Sequence, residues 1–583
     1  MVLRRAAARR FVAIAGAVST VLAVSLAAAS GEASVGKPAA DRITTLSAKP
    51  GSTVVRTGQV DLTTLPRASA GSQQKLTPGQ MSAVNRPLKS ATQLATYRQW
   101  VLSHASQLPQ SAGAPAPRRT NFISSNRQIP QLEKDADGIN FTQSGCGCTP
   151  PDQAVGVSSS QVFEGVNNLL QVYNSSLATI YGPVTAQSFF GPLFHSGDFF
   201  SDPQITYNPT KGRWVIAWLE INSNGTADYI DLAVSKTSSP NPTTFYEYQV
   251  PANVSGANDF CDYPTLGYEN NAAWVSCVTF NGSSGAFVGN RVFGFPFTQV
   301  DAGSLSNYVW FYNIPTDVSC GSGCVYGAYR LSPAIEDGSA QGEFVTATDA
   351  GFGVTSKTMT VCALTNTIAI QKGSIPKGTC TYTSTPLAYD DPVSAPQPGT
   401  SALVYPGVGT KQLAYRDGRL WFAMPVAVSC GGTAEDGIWW GDVVPQLTAI
   451  SSGYPQTMNG VVSSYSENAY WCYSGGVYSY MPSIVASSEG DAALVFSLSA
   501  SSTYFPGIAY TGRMAADPPN TMGSVGANAF AVAGSADNTT GRYGDYSACA
   551  LITGAAIRGT AWCGGEYGGS DVWNTRLYEL RMQ

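Results

Sequence analysis

Residues 202–220 read DPQITYNPTKGRWVIAWLE: a short strand opening at a Pro, a Gly and Asn turn, and a returning strand of aromatic and β-branched residues. The same hairpin recurs as YPTLGYENNAAWVSCVTF (263–280), SPAIEDGSAQGEFVTAT (332–348), YPGVGTKQLAYRDGRLWFAM (405–424) and MPSIVASSEGDAALVFSL (481–498). A looser first copy occupies 151–173. A last copy, 545–567, has Ser547 where the others have Pro. Seven copies therefore begin near 151, 203, 264, 333, 406, 482 and 547. Each interval holds about four strands of five or six residues plus loops, the size of one propeller blade. The expected fold is all-β: a seven-bladed β-propeller over 145–583. The final strand, WNTRLYEL (573–580), is expected to close the ring by pairing with the first blade. A pair of sandwiches is the alternative, but it does not explain one hairpin recurring across the whole domain.

Composition agrees with this reading. The chain has 583 residues with 60 Gly, 35 Pro, 29 Tyr and 11 Trp, and only 12% are charged. That mixture suits short strands and many turns rather than long surface helices. There are two His in all, His104 and His195. Their scarcity excludes His-rich zinc sites and weighs against a Ser-His-Asp peptidase.

Arg4, Arg5, Arg9 and Arg10 precede an uncharged run that ends in small residues, which reads as a signal peptide over 1–29. An uncleaved anchor is the alternative, because the run continues to Ser30. All 12 Cys lie between Cys146 and Cys563, an even number suited to disulfides in an exported protein. The expected pairs are Cys261 with Cys277, Cys320 with Cys324, Cys362 with Cys380, Cys430 with Cys472, and Cys549 with Cys563. Cys146 and Cys148 form either a tight ring or two bridges to elsewhere.

Residues 30–119 are rich in Ser, Thr, Ala, Gln and Pro and lack a strand pattern, so they read as a largely unstructured pro-segment or tether. One helix is expected near 91–108, where Leu94, Tyr97, Val101 and Leu108 fall at helical spacing before Pro109. Beyond residue 130 there are 17 Lys and Arg against 35 Asp and Glu. Such an acidic domain disfavours nucleic acid and anionic membrane as partners. The expectation is a secreted monomer with no membrane insertion after signal removal.

In a propeller the innermost strand of each blade begins at one mouth of the central channel. The residues just before the repeated Pro should meet there. Asp152, Asp202, Asp262 and Asp545 come from blades 1, 2, 3 and 7, neighbours once the ring closes. Tyr263, Arg330, Tyr405, Tyr480 and Tyr546 join them, and His195 lies just before the second blade. Carboxylates gathered in a partly desolvated mouth repel one another, so their proton affinities diverge as acid and base chemistry needs. The Tyr rings would lie against sugar rings. The bland alternative is that each Asp caps a turn. Several hard oxygen ligands around a mouth would also suit calcium, although no EF-hand or nonapeptide motif is present, and no metal ligand is assigned.

Residues 150–156 (PPDQAVG), Ser201-Asp202-Pro203, Asp262-Tyr263-Pro264, Tyr510-Thr511-Gly512-Arg513 and residues 542–547 (RYGDYS) resemble secreted bacterial β-propeller proteins loosely described as sialidase-like, mostly of unassigned activity. The resemblance spans about 145–583. It implies the fold and export but not a sialic-acid mechanism, because the chain has no Ser-x-Asp-x-Gly-x-Thr-Trp box and no Arg-Ile-Pro near its start. The functional expectation is a glycoside hydrolase acting on an extracellular polysaccharide. A non-catalytic glycan- or protein-binding propeller and a polysaccharide lyase are the alternatives.

Overall fold

In the computed structural model, residues 43–582 are described except 55, 70–74, 85–90, 116–129, 256–257, 313, 315–325, 341, 351–354, 450–457, 524–528, 541, 553–558 and 570. The signal-peptide reading of 1–29 and the Cys320–Cys324 pair fall outside the described residues. Among those described, no helix is long and apolar enough to cross a membrane.

The chain is mostly strand. Among the described residues the strands form five hydrogen-bonded sheets, one of fifteen strands that divides into three antiparallel groups. The seven groups, each a sheet apart from the parallel bridges between them, begin with the inner strands Ala154–Val157, Phe199–Asn208, Asp259–Tyr268, Tyr326–Glu336, Leu413–Arg416, Val477–Ala486 and Ala548–Ile552. The second group continues through Arg213–Ile221, Asp228–Ser235 and Thr244–Pro251 in simple up-and-down order. Parallel bridges join the innermost strands of the third and fourth groups at Tyr268 and Ile335, and those of the fourth and fifth at 334–336 and 413–415.

Most of these strands are buried on both faces, which is why they read as nearly unbroken apolar runs rather than alternating ones. A hydrophobic cluster fills the space between each consecutive pair of sheets. Another joins Val155, Val157 and Val162 of the first sheet to Trp562 and Leu577 of the seventh. Trp214, Trp274, Trp421 and Trp440 are wholly buried in these layers. Truncating one of them to Ala costs about 3–5 kcal/mol. At one end of the innermost strands, Val157, Thr206, Tyr268, Ile335, Ala414, Val485 and Ala550 line one narrow cavity of ≈ 20 Å³. That is room for about one water molecule, and each of the seven sheets contributes a residue.

The segment before residue 130 differs from its expected reading. Its helix is present at Ala91–Ser103, and the described residues before it include strands. Ile43–Thr45, Ser47–Gly51 and Arg56–Asp61 add outermost strands to the fourth, third and second sheets. These strands face solvent and draw their order from the edge they pair with, so a polar sequence suffices and no apolar pattern marks them. Tyr97, Val101 and Leu108 pack against Val393, Val404, Tyr478 and Met481, and the Tyr97 hydroxyl donates to the Asp391 carbonyl at 2.6 Å.

The closure also differs. The last strand, Asn574–Arg581, pairs with Thr560–Tyr567 and Gln131–Asn140 and not with a strand of the first sheet. The strand from 131 is charged and half exposed, which gives it the look of a linker in sequence. Among the described residues five disulfides bridge Cys146–Cys148, Cys261–Cys277, Cys362–Cys380, Cys430–Cys472 and Cys549–Cys563. The first is the tight ring.

Candidate functional site

Near its start, the innermost strand of five sheets carries a residue in the left-handed backbone region: Asp152 (φ 52°), Asp202 (φ 55°), Tyr263 (φ 50°), Arg330 (φ 60°) and Met481 (φ 51°). At four of these the strand register breaks, between 201 and 204, 262 and 265, 329 and 332, and 480 and 483. A bulge of this kind re-aims its side chain, and a left-handed non-Gly residue persists only where its surroundings hold it. The Pro that follows three of these residues is the mark visible in sequence.

Asp152, Asp202, Asp262 and Asp545 meet in one electrostatic group. Burial first, and then the neighbouring Asp202, hold Asp152 and Asp262 well above the usual carboxylate range. Burial also raises Asp202, against the pull of its hydrogen bonds from Ser201 Oγ (2.6 Å to Oδ1) and the Tyr546 hydroxyl (2.9 Å to Oδ2). Asp262 is half-buried and accepts the backbone N–H of Tyr263 at 2.9 Å. Asp545 pairs with Arg542 at 2.8 Å. Burial works against the charge of Arg542, but Asp545, Tyr263, Asp152 and Asp262 outweigh it and raise its pKa.

Arg330 is fully buried, its guanidinium 4.8 Å from the ring centre of Tyr263 and 5.0 Å from that of Tyr546. Stacking on two rings stabilises a desolvated Arg by about 1–2 kcal/mol per ring. Lys411 lies 5.6 Å from the centre of the same Tyr546 ring, with Nζ 2.8 Å from Met481 Sδ. Burial and then Arg330 lower its pKa well below the usual Lys value. Tyr405 is half-buried beside the group, its pKa raised by burial and then by Asp391 and Asp545.

Two expected residues lie elsewhere. Tyr480 precedes the bulge residue of its sheet instead of occupying it. It packs edge-to-face on Tyr543 (5.8 Å, 81°), and its charged neighbours are Glu566 and Asp436. Met481 takes the position reserved for it. His195 bonds Glu220 and stacks on Tyr229 within the second sheet (4.9 Å, 22°). Arg542 and Lys411 join Arg330 as basic members of the group, and only the scarcity of Lys and Arg in the domain singles them out in sequence. Trp439 and Trp440 are wholly buried in sheet packing.

Among the described residues, the groups of three His, Cys, Asp or Glu ligand atoms within 4.8 Å of one another are Cys430, Glu435 and Cys472, and His195, Asp198 and Glu220. The four aspartates form no such group. Cys430 and Cys472 are joined as a disulfide.

No family model and no curated protein matches the chain. Among solved structures, it is similar to a Bacillus subtilis arabinanase (13% identity, TM-score 0.23, covering 60% of this chain and 88% of that one). It is also similar to an exo-β-1,3-galactanase from Phanerochaete chrysosporium (10%, 0.27, 76% and 99%) and to the endosialidase of phage phi92 (7%, 0.33, 74% and 67%). Overlaps at TM-scores this low carry neither a fold nor an activity to this chain.

Proposed function

We propose that the protein is a secreted, monomeric seven-bladed β-propeller that hydrolyses glycosidic bonds of an extracellular polysaccharide at the mouth formed by Asp152, Asp202, Asp262 and Asp545. The observation that carries this reading is the convergence of four aspartates, from the first, second, third and seventh sheets, on Arg542. Retaining and inverting hydrolysis both need one carboxylic acid to protonate the leaving oxygen and one carboxylate to attack or to activate water. Asp152 and Asp262, whose proton affinity burial raises, suit the acid. Asp545, paired with Arg542, suits the carboxylate. Asp262, Tyr405 and Arg542 are the half-buried members and mark the side from which a sugar would enter.

The test is a panel of soluble polysaccharides incubated with the full exported chain and with Asp152→Asn, Asp202→Asn, Asp262→Asn and Asp545→Asn. The expected result is a loss of at least about a hundredfold in reducing-end release in the acid variant and in the carboxylate variant. Undiminished hydrolysis in all four variants overturns the reading.

A second reading, a glycan-binding propeller without turnover, is favoured by the burial of Asp152, Asp202 and Asp545. Retention of a glycan with no released product would select it. A lyase using His195 as base is disfavoured, because that imidazole bonds Glu220 within the second sheet.

A further inference from the structure

His195 belongs to a second polar cluster, built on the second sheet and on the loop that leads into it. Its Nδ1 lies 3.1 Å from Glu220 Oε1 and 3.8 Å from Asp198 Oδ2. The three ligand atoms fall within 4.8 Å of one another. A tetrahedral ion with bonds of about 2.0–2.1 Å to nitrogen and oxygen places its ligand atoms about 3.4 Å apart. The two measured separations straddle that value.

Asp231 supplies a second, independent observation. It is wholly buried, its carboxylate oxygens lack a hydrogen bond of good geometry, and its polar neighbours are Glu220 and Gln249, with Glu247 and Asp198 nearby. Among the described residues no Lys or Arg forms an ion pair with Asp198, Glu220 or Asp231. Arg56, the base on the neighbouring strand, donates instead to the Leu193 carbonyl. Two buried carboxyls in contact need either a shared proton or a cation.

The surroundings hold the candidate ligands in place. Gln249 Nε2 donates to Glu220 Oε2 at 2.6 Å, and the His195 backbone N–H donates to Glu220 Oε1 at 2.7 Å. Gln80 of the leader helix Pro78–Val84 donates to the Gly197 carbonyl at 3.0 Å, fixing the loop between His195 and Asp198. Tyr229 stacks on the imidazole and sets its plane. Partners of this kind around metal ligands govern affinity by about 10–100-fold. His195 is partly exposed, which leaves a path for an ion.

We propose that His195, Asp198 and Glu220 bind one divalent transition-metal ion of the zinc or manganese class beside the buried Asp231, pinning the leader and the 193–198 loop to the second sheet. The imidazole nitrogen beside carboxylate oxygens favours this class over calcium, which prefers all-oxygen sites.

The experiment uses the full exported chain without an affinity tag, stripped with EDTA and titrated separately with ZnCl₂, MnCl₂ and CaCl₂ by calorimetry. Metal content is then measured after dialysis. The expected result is a single site for zinc or manganese, weakened at least about tenfold in both His195→Ala and Asp198→Asn. Circular dichroism checks that the two variants are folded. Failure of the native chain to retain either metal overturns the proposal. So does affinity in both variants unchanged from the native chain, or binding of calcium alone.

Discussion

The Tyr546 hydroxyl donates to Asp202 Oδ2 at 2.9 Å, tying the seventh sheet to the second across 344 positions of sequence. The bond is buried, and Asp202 has one further side-chain donor, Ser201. Tyr546→Phe leaves a buried carboxyl oxygen without its donor, at a cost of about 1–3 kcal/mol. Urea unfolding of Tyr546→Phe, alone and combined with Asp202→Asn, measures it. Coupled effects are expected, and strict additivity would mean that the contact does not exist in solution.

Burial sets the direction of the pH response. Asp152 and Asp262 are held well above 3.8 by burial and then by Asp202, and Glu269 is pushed from 4.5 to about 7, by burial above all. Each binds its proton more tightly in the folded protein than in the unfolded one. The stabilisation from these groups is therefore complete below the unfolded pKa and is lost as pH rises through the folded value. For Glu269 the window runs from 4.5 to about 7, at about 1.4 kcal/mol per pH unit. The melting temperature should be highest at mildly acidic pH and fall toward neutrality. Glu269→Gln should flatten the fall within that window. A melting temperature that climbs steadily from pH 5 to 8 contradicts this.

What was legible in the sequence follows from burial. The innermost hairpins are sealed on both faces, so aromatic and β-branched residues fill them, and the bulge leaves a Pro behind at Pro203, Pro264 and Pro482. The outer strands at 43–61 and 131–140 have one edge and much of their surface in water. Nothing forces their composition, and they pass for linkers. Tyr480 was misplaced by one residue, which in a strand turns a side chain to the opposite face. The meeting of Asp152, Asp202, Asp262 and Asp545 was legible because repeat position encodes it. Lys411 was not, because it lies outside the repeated position and enters the group from the loop before Leu413.

The leader contributes stability that a tether would not. A chain shortened to 120–583 loses the outermost strands of the second, third and fourth sheets and the helix that buries Tyr97 and Val101. It uncovers the strand edges of 244–251, 308–312 and 377–389, which then present unpaired N–H and C=O groups to other chains. Light scattering and thermal unfolding of the two lengths compare them. The shortened chain should aggregate or melt several degrees lower, and equal behaviour would restore the tether reading.

Cys430–Cys472 closes a separation of 42 residues in the fifth sheet. The same two residues flank the docking of the leader: the Ala114 backbone N–H donates to the Cys472 carbonyl at 2.7 Å, and Gly431 N–H to the Ser111 carbonyl at 2.9 Å. Gly113, beside them, has φ 72°, and a Cβ built on it would lie 2.5 Å from Cys430 Sγ, so the leader approaches the bridge as closely as a glycine permits. Chain-entropy arguments put the loss on removing the cross-link at about 4 kcal/mol. The Cys430→Ser, Cys472→Ser double variant should therefore unfold at a clearly lower guanidinium midpoint. Proteolysis should then release residues before 130 sooner than in the native protein. A midpoint unchanged by the double substitution would mean that the bridge adds nothing to the fifth sheet or to the hold on its leader.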